Sequence, residues 1–141
     1  MRDLMNHIAP KRAISPAAAV ADNTAFISQI IDVQGYDSLT FLILTGSLAD
    51  ADATFATLVE HGDAANLSDA AAVPDAELVG TEALASFTFS DDDKVFKVGY
   101  VGGKRYVRLT VTPTNNSGNS FVSAVALLGH PHWFPTANPP A

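Results

Sequence analysis

His130-Pro131-His132 sets two imidazoles one residue apart, the one spacing in this chain that invites a metal ion. A structural zinc site takes about four ligands. His7 and His61 stand far off in sequence and no third ligand is evident, so no metal site is expected. Asp91-Asp92-Asp93 groups three carboxylates, but it lacks the Asp/Asn alternation, central Gly and closing Glu of a calcium loop. A solvated acidic turn is the expectation there. Any two of the fifteen acids could converge as a glycosidase pair, and nothing singles out one pair. The Ser and Thr hydroxyls carry no local activation signature. GxSxG, P-loop, HExxH and GxGxxG motifs are absent. So is cysteine, which removes thiol nucleophiles, disulfides and Cys-type zinc sites. No catalytic residue, cofactor or metal is therefore expected, and the protein is read as not an enzyme.

The 141 residues (14.8 kDa) suit one domain. A hydrophobic content of 48% argues against a wholly disordered chain. Charged residues make up only 16%, against roughly a quarter in ordinary domains. A surface so poor in charge predicts burial against other subunits. The net charge of −7 argues against a general nucleic-acid binder. No apolar run approaches the roughly 20 residues of a membrane span, and residues 1–21 lack the apolar block of a signal peptide.

The charge lies in blocks. Residues 1–12 are net basic through Arg2, Lys11 and Arg12. Residues 13–93 hold fourteen acids and no Lys or Arg, while residues 94–141 hold five bases and no acid. Two readings stand side by side: complementary surfaces between copies or partners, or internal pairing of distant strands.

The elements that would position these groups read as β. Residues 26–31 predict a first strand. Residues 38–45 predict a buried one, apolar on both faces and bounded by Gly35 and Gly46. Residues 53–60 alternate, with Phe55, Thr57 and Val59 on one face. Residues 61–83 predict a long loop with a short strand at 77–79, and 85–89 another short strand. Residues 121–128 predict a central final strand. Between them, two β-rich runs flank Gly102-Gly103, which predicts a two-residue hairpin over 94–111. That register puts Phe96, Val98, Tyr100, Val107, Leu109 and Val111 on the core face. Lys97, Tyr106 and Arg108 share the outer face, with Lys97 directly opposite Arg108. A basic patch around an aromatic ring is an interface anchor.

Both ends read as arms. Residues 1–24, broken by Pro10 and Pro16, predict an extended arm in which Leu4 has something to bury. Residues 130–141 hold four prolines and predict an extended tail. Trp133 and Phe134 would dock that tail. The expected organisation is an N-terminal arm (1–24), a β domain (25–129) and a Pro-rich tail (130–141).

Three stretches carry a resemblance. They are Val98-Gly99-Tyr100-Val101-Gly102-Gly103-Lys104-Arg105-Tyr106-Val107-Arg108, Ala124-Val125-Ala126-Leu127-Leu128-Gly129-His130-Pro131, and the opening Met1-Arg2-Asp3-Leu4. With the strand 38–45 behind Gln34-Gly35-Tyr36-Asp37-Ser38, the chain resembles the head decoration, or capsid cement, proteins of tailed bacteriophages and prophages. The resemblance implies a non-enzymatic virion structural protein, made in the host cytoplasm and placed on the outer capsid surface. It would bind the major capsid protein as a homo-oligomer, a trimer at three-fold and quasi-three-fold sites. No nucleic acid, membrane or cofactor is implied.

The fold expected is all-β: a single compact β-sandwich or jelly-roll-like barrel of about seven to eight strands with extended N- and C-terminal arms. The interface residues expected, toward capsid or neighbouring subunit, are Arg2, Leu4, Lys11, Arg12, Lys97, Tyr106, Arg108, His130, His132, Trp133 and Phe134. The alternative reading is a carbohydrate- or receptor-binding β-sandwich module on a virion surface.

Overall fold

The computed structural model describes residues 2–140 and shows two antiparallel sheets packed face to face. The strands are β1 (Ile8–Ile14), β2 (Phe26–Ile27), β3 (Ile31–Asp32), β4 (Tyr36–Leu48), β5 (Thr54–Gly62), β6 (Ala71–Ala72), β7 (Leu78–Val79), β8 (Phe87–Thr88), β9 (Val95–Tyr100), β10 (Tyr106–Thr114) and β11 (Ser120–Pro131). The first sheet runs β1-β11-β4-β9-β7. The second runs β2-β10-β5-β6, with β3 also on β10 and β8 also on β5. Neither sheet closes into a barrel, so the fold is a two-sheet sandwich. Eleven strands stand where seven or eight are expected, because five of them are only two residues long.

Period-two burial builds the core. Phe55, Thr57 and Val59 of β5 face inward, as do Val107, Leu109 and Val111 of β10. From the other sheet come Leu39, Phe41 and Ile43 of β4, and Val122, Ala124, Ala126 and Leu128 of β11. The Phe87 ring stacks between Phe55 (4.9 Å) and Phe96 (5.2 Å), which ties β8 of one sheet to β9 of the other. As expected, β11 is central, flanked by β1 and β4.

The Gly102-Gly103 hairpin does not form. β9 pairs with β4 and β7, whereas β10 pairs with β5, β2 and β3. The glycines carry the chain from one sheet to the other. Val101 N–H donates to Glu77 O (2.8 Å) and Val33 N–H to Arg105 O (3.0 Å), so each flank is tied to a different neighbour. A Cβ on Gly102 would stand 2.5 Å from the Tyr100 hydroxyl and 2.6 Å from its ring, so the corner needs glycine. The inward parity expected of both runs holds; the pairing does not. Alternation fixes which face a residue takes, and only tertiary packing fixes which strand lies beside it.

The N-terminal arm is corrected too. Ile8–Ile14 forms edge strand β1, paired with β11 from Ile8↔Gly129 to Ile14↔Ala124. An edge strand tolerates Pro10. The strand expected at 26–31 is split by Ser28. The Ser28 hydroxyl accepts Leu109 N–H (2.9 Å), and Gln29 N–H turns away to Ala13 O on β1 (3.0 Å). Among the described residues no helix is long and apolar enough to cross a membrane.

Candidate functional site

Both termini meet at one end of the first sheet. Thr136 N–H donates to Asn6 O (3.0 Å), and the Thr136 hydroxyl donates to Ile8 O (2.5 Å). A 3-10 turn at Met5–His7 is closed by Asp3, whose carboxylate accepts from the Asn6 side chain (2.7 Å) and backbone (3.1 Å). Those bonds hold the Asp3 carboxyl below the usual carboxylate range. His132 N–H donates to Gly35 O (2.9 Å), and its imidazole lies 2.7 Å from the Asp37 carboxylate. His130 turns the other way, its Nδ1 2.9 Å from the Ser38 hydroxyl, on a backbone of positive φ (48°). The two imidazoles therefore take separate partners. Among the described residues, no three His, Asp or Glu side chains cluster as a metal site would need.

On this anchored turn stand Trp133, 87% exposed, and Phe134, 67% exposed. The Phe134 ring lies 5.0 Å from that of His7, and Leu4 and Met5 are exposed beside it in the chain. The tail does dock through its backbone and histidines, but its largest apolar side chain points into solvent. An indole left in water beside fixed hydrogen-bonding groups forms a ledge able to take the flat apolar face of a ring-shaped ligand.

The other expected interface residues scatter. Arg2 and Leu4 are exposed ahead of the 3-10 turn. Lys11 points inward at the edge of β1, opposite Ala126, where its charge helps hold Asp32 ionised. Arg12 lies on the outer face of the first sheet and donates to the Ser15 hydroxyl (2.9 Å). Lys97, Tyr106 and Arg108 form no common patch. Lys97 lies on the first sheet opposite Leu42, whereas Tyr106 and Arg108 lie on the second opposite Gly62 and Glu60. The patch was an artefact of the hairpin register.

Internal pairing accounts for most of the basic C-terminal block. Arg108 meets Glu60 (3.1 Å), Lys104 meets Asp63 (2.8 Å), Lys94 meets Asp91 (2.9 Å), and Arg105 takes Asp32 with two bonds of 2.9 Å. Arg105 also lies 5.1 Å over the Tyr106 ring. Lys97 alone of the five has no acid within ion-pair distance among the described residues.

A further polar group comes from residues the sequence did not single out. The buried His61 of β5 meets the Tyr100 hydroxyl of β9 (2.9 Å), with the rings edge to face. That hydroxyl also accepts Lys104 N–H (3.0 Å), and Glu77 lies 3.8 Å from His61. Burial, chiefly, raises the Tyr100 hydroxyl above its ordinary pKa. The cluster joins the two sheets across the sandwich. Each of its groups is taken up by another, which makes it a brace. Its members lie 16 to 39 residues apart, so no local motif points to it.

No protein-family model and no curated protein matches the chain. Solved structures do. The xylan-binding module CBM15 is 11% identical (TM-score 0.43), matching 93% of this chain and 95% of its own. The CBM22-1 xylan-binding domain from Paenibacillus barcinonensis Xyn10C is 10% identical (TM-score 0.44), over 86% and 82%. The SPBc2 prophage-derived protein YomS is 13% identical (TM-score 0.44), over 84% and 93%. The chain spans only 28% of the matching Clostridium thermocellum Xyn10B CBM22-1–GH10 chain. These scores assign no ligand. Predominant among the matches are carbohydrate-binding modules and carbohydrate-active enzymes, not bacteriophage capsid decoration or cement proteins. The expectation of a capsid decoration protein is corrected accordingly. What stands is the fold, a two-sheet β-sandwich.

Proposed function

We propose that this protein is a non-catalytic binding module that recognises a carbohydrate through Trp133. The observation that carries the reading is the 87% exposed indole on a turn fixed by four backbone and side-chain bonds. An unanchored exposed aromatic would lose ordering entropy on binding; here the fold has already met that cost. A pyranose ring stacks its C–H face on an indole, and the Asp37–His132 pair next to it offers an acceptor and a donor for hydroxyls. Specificity in such sites comes from a few placed polar groups around an apolar surface.

The test uses the single Trp as its own reporter. Xylohexaose and xylopentaose, named with two of the similar structures, are the first probes; a glycan array follows. The expected result is ligand-dependent change in Trp fluorescence with matching calorimetric binding, and loss of the calorimetric binding in Trp133→Ala at unchanged melting temperature. Phe134→Ala is expected to weaken binding less, because that ring is partly engaged with His7. Absence of binding to the whole array, or binding unaffected by Trp133→Ala, overturns the reading.

A further inference from the structure

The outer face of the first sheet is apolar. Reading across the strands, Arg12, Val125, Leu42 and Lys97 form one row, and Ser123, Leu44 and Val95 the next. Phe121 and Gly46 follow beyond, with Leu127, Thr40, Gly99 and Val79 on the other side. Val95 is 63% and Leu44 51% exposed. Among the described residues, Pro16 borders the face at the Phe121 end and Leu84 at the Val79 end, and the side chains between them stay open to solvent.

Two unmatched charges sit at the β9 side of the face. Lys97 has no acid partner, and neither has Asp93 among the described residues. Asp93 N–H donates to Gly46 O (3.2 Å), and Asp93 lines the hollow with Leu44, Gly46 and Phe121. Asp93, Val95 and Lys97 thus follow one another along the same face, anion, apolar, cation. That order is its own complement under a two-fold axis through Val95.

We infer that this face is a two-fold interface between two copies of the chain. The axis crosses the strands at the Leu44 row. Leu44 and Val95 meet their own counterparts there, and Lys97 stands against the partner subunit's Asp93. The axis brings three rows about 6.8 Å apart, on four strands about 4.8 Å apart, against their counterparts, a contact of roughly 400 Å² on each copy. Two copies then bury roughly 800 Å², the size of a weak, transient association. The dimer is accordingly weak and forms only as the concentration rises. The inference is independent of the carbohydrate reading, since Trp133 lies outside this face.

Sedimentation equilibrium of the full chain over a wide concentration range tests it. The expected result is a reversible shift from 14.8 kDa to twice that mass. Val95→Asp is expected to abolish the shift with the β-sheet circular dichroism unchanged. Lys97→Asp and Asp93→Lys are each expected to weaken association about tenfold, because symmetry counts each reversal twice. The double variant is expected to recover to within about threefold of wild type. A wild-type chain that stays monomeric throughout overturns the interface. A trimer, or a double variant no better than its parents, overturns the two-fold geometry.

Discussion

The two outer faces of this sandwich are built from the same alternating strands and finished differently. On the second sheet, Thr110, Thr112 and Thr114 of β10 stand opposite Leu58, Ala56 and Thr54 of β5, and Arg108 is matched to Glu60 in the same register. Arg105 and Lys104 at its edge hold Asp32 and Asp63. That face meets water as a completed surface. The first sheet shows Leu42, Leu44, Val95, Val125 and Phe121, with Lys97 and Asp93 unmatched at its side. A low charge content therefore says less about a protein than where the charge is satisfied. Here the second sheet's outer face is matched by Arg108–Glu60 and its edge pairs, while the outer face of the first leaves Lys97 and Asp93 without partners among the described residues.

The comparison breaks down completely only where the faces share support. Phe41 is fully buried between the sheets. Phe41→Ala is expected to cost about 3–5 kcal/mol in urea or thermal unfolding, and to impair dimerisation and ligand binding together. Loss of one property without the other would mean the faces do not depend on a common core.

A smaller change separates them. Glu60→Ala leaves the Arg108 guanidinium half-buried and without its carboxylate, and the Arg108 Nε already lacks a partner. The expected cost is about 1–2 kcal/mol. Lys97→Ala removes a cation with no partner in the monomer and is expected to cost less than about 0.5 kcal/mol. Chemical denaturation of both variants at a concentration low enough to keep them monomeric checks this. Equal effects would erase the distinction between finished and unfinished faces.

Much of this was legible in the residues. The inward parity of Phe55, Thr57 and Val59, of Val98 and Tyr100, and of Val107 to Val111 follows from alternation alone, and so does the central place of the small-residue strand β11. Pairing was not legible. Gly102-Gly103 has the composition of a tight turn, but the same freedom lets the chain pass under Tyr100 into the other sheet. That one misplaced connection moved Lys97 beside Arg108 and concealed the contrast between the faces. β1 was hidden in the same way, because Pro10 argues against a strand in general yet is permitted at an edge. Trp133 and Phe134 were recognisable as consequential from their place in a Pro-rich tail; that the indole faces solvent while the backbone docks is a tertiary outcome. His61 and Tyr100 meet only because β5 and β9 belong to different sheets that pack against each other.

The least effect expected concerns pH. The Arg105 guanidinium, hydrogen-bonded to Asp32, holds that carboxyl below the usual range despite some burial. Its folded pKa lies below its unfolded one, so its stabilisation is complete above about pH 4 and is lost as pH falls through the folded value. Asp91 beside Lys94 acts in the same sense. Glu82, raised mainly by burial, acts in the opposite one: its contribution is present below its unfolded pKa and is lost as pH rises through the folded value. The Asp32 and Arg105 side chains are 38% and 45% exposed, so solvent screening leaves the pair a small contribution. Asp32→Asn is expected to flatten the fall in melting temperature between about pH 4 and pH 2 without altering it near pH 7 by more than a degree or so. Glu82→Gln, which removes a carboxyl shifted the other way, is the matched contrast and is expected to act above about pH 4.5 and not on the acid limb. If the two variants titrate alike, the ion pairs around the second sheet add nothing to its stability, and only the apolar character of the first sheet still tells the faces apart.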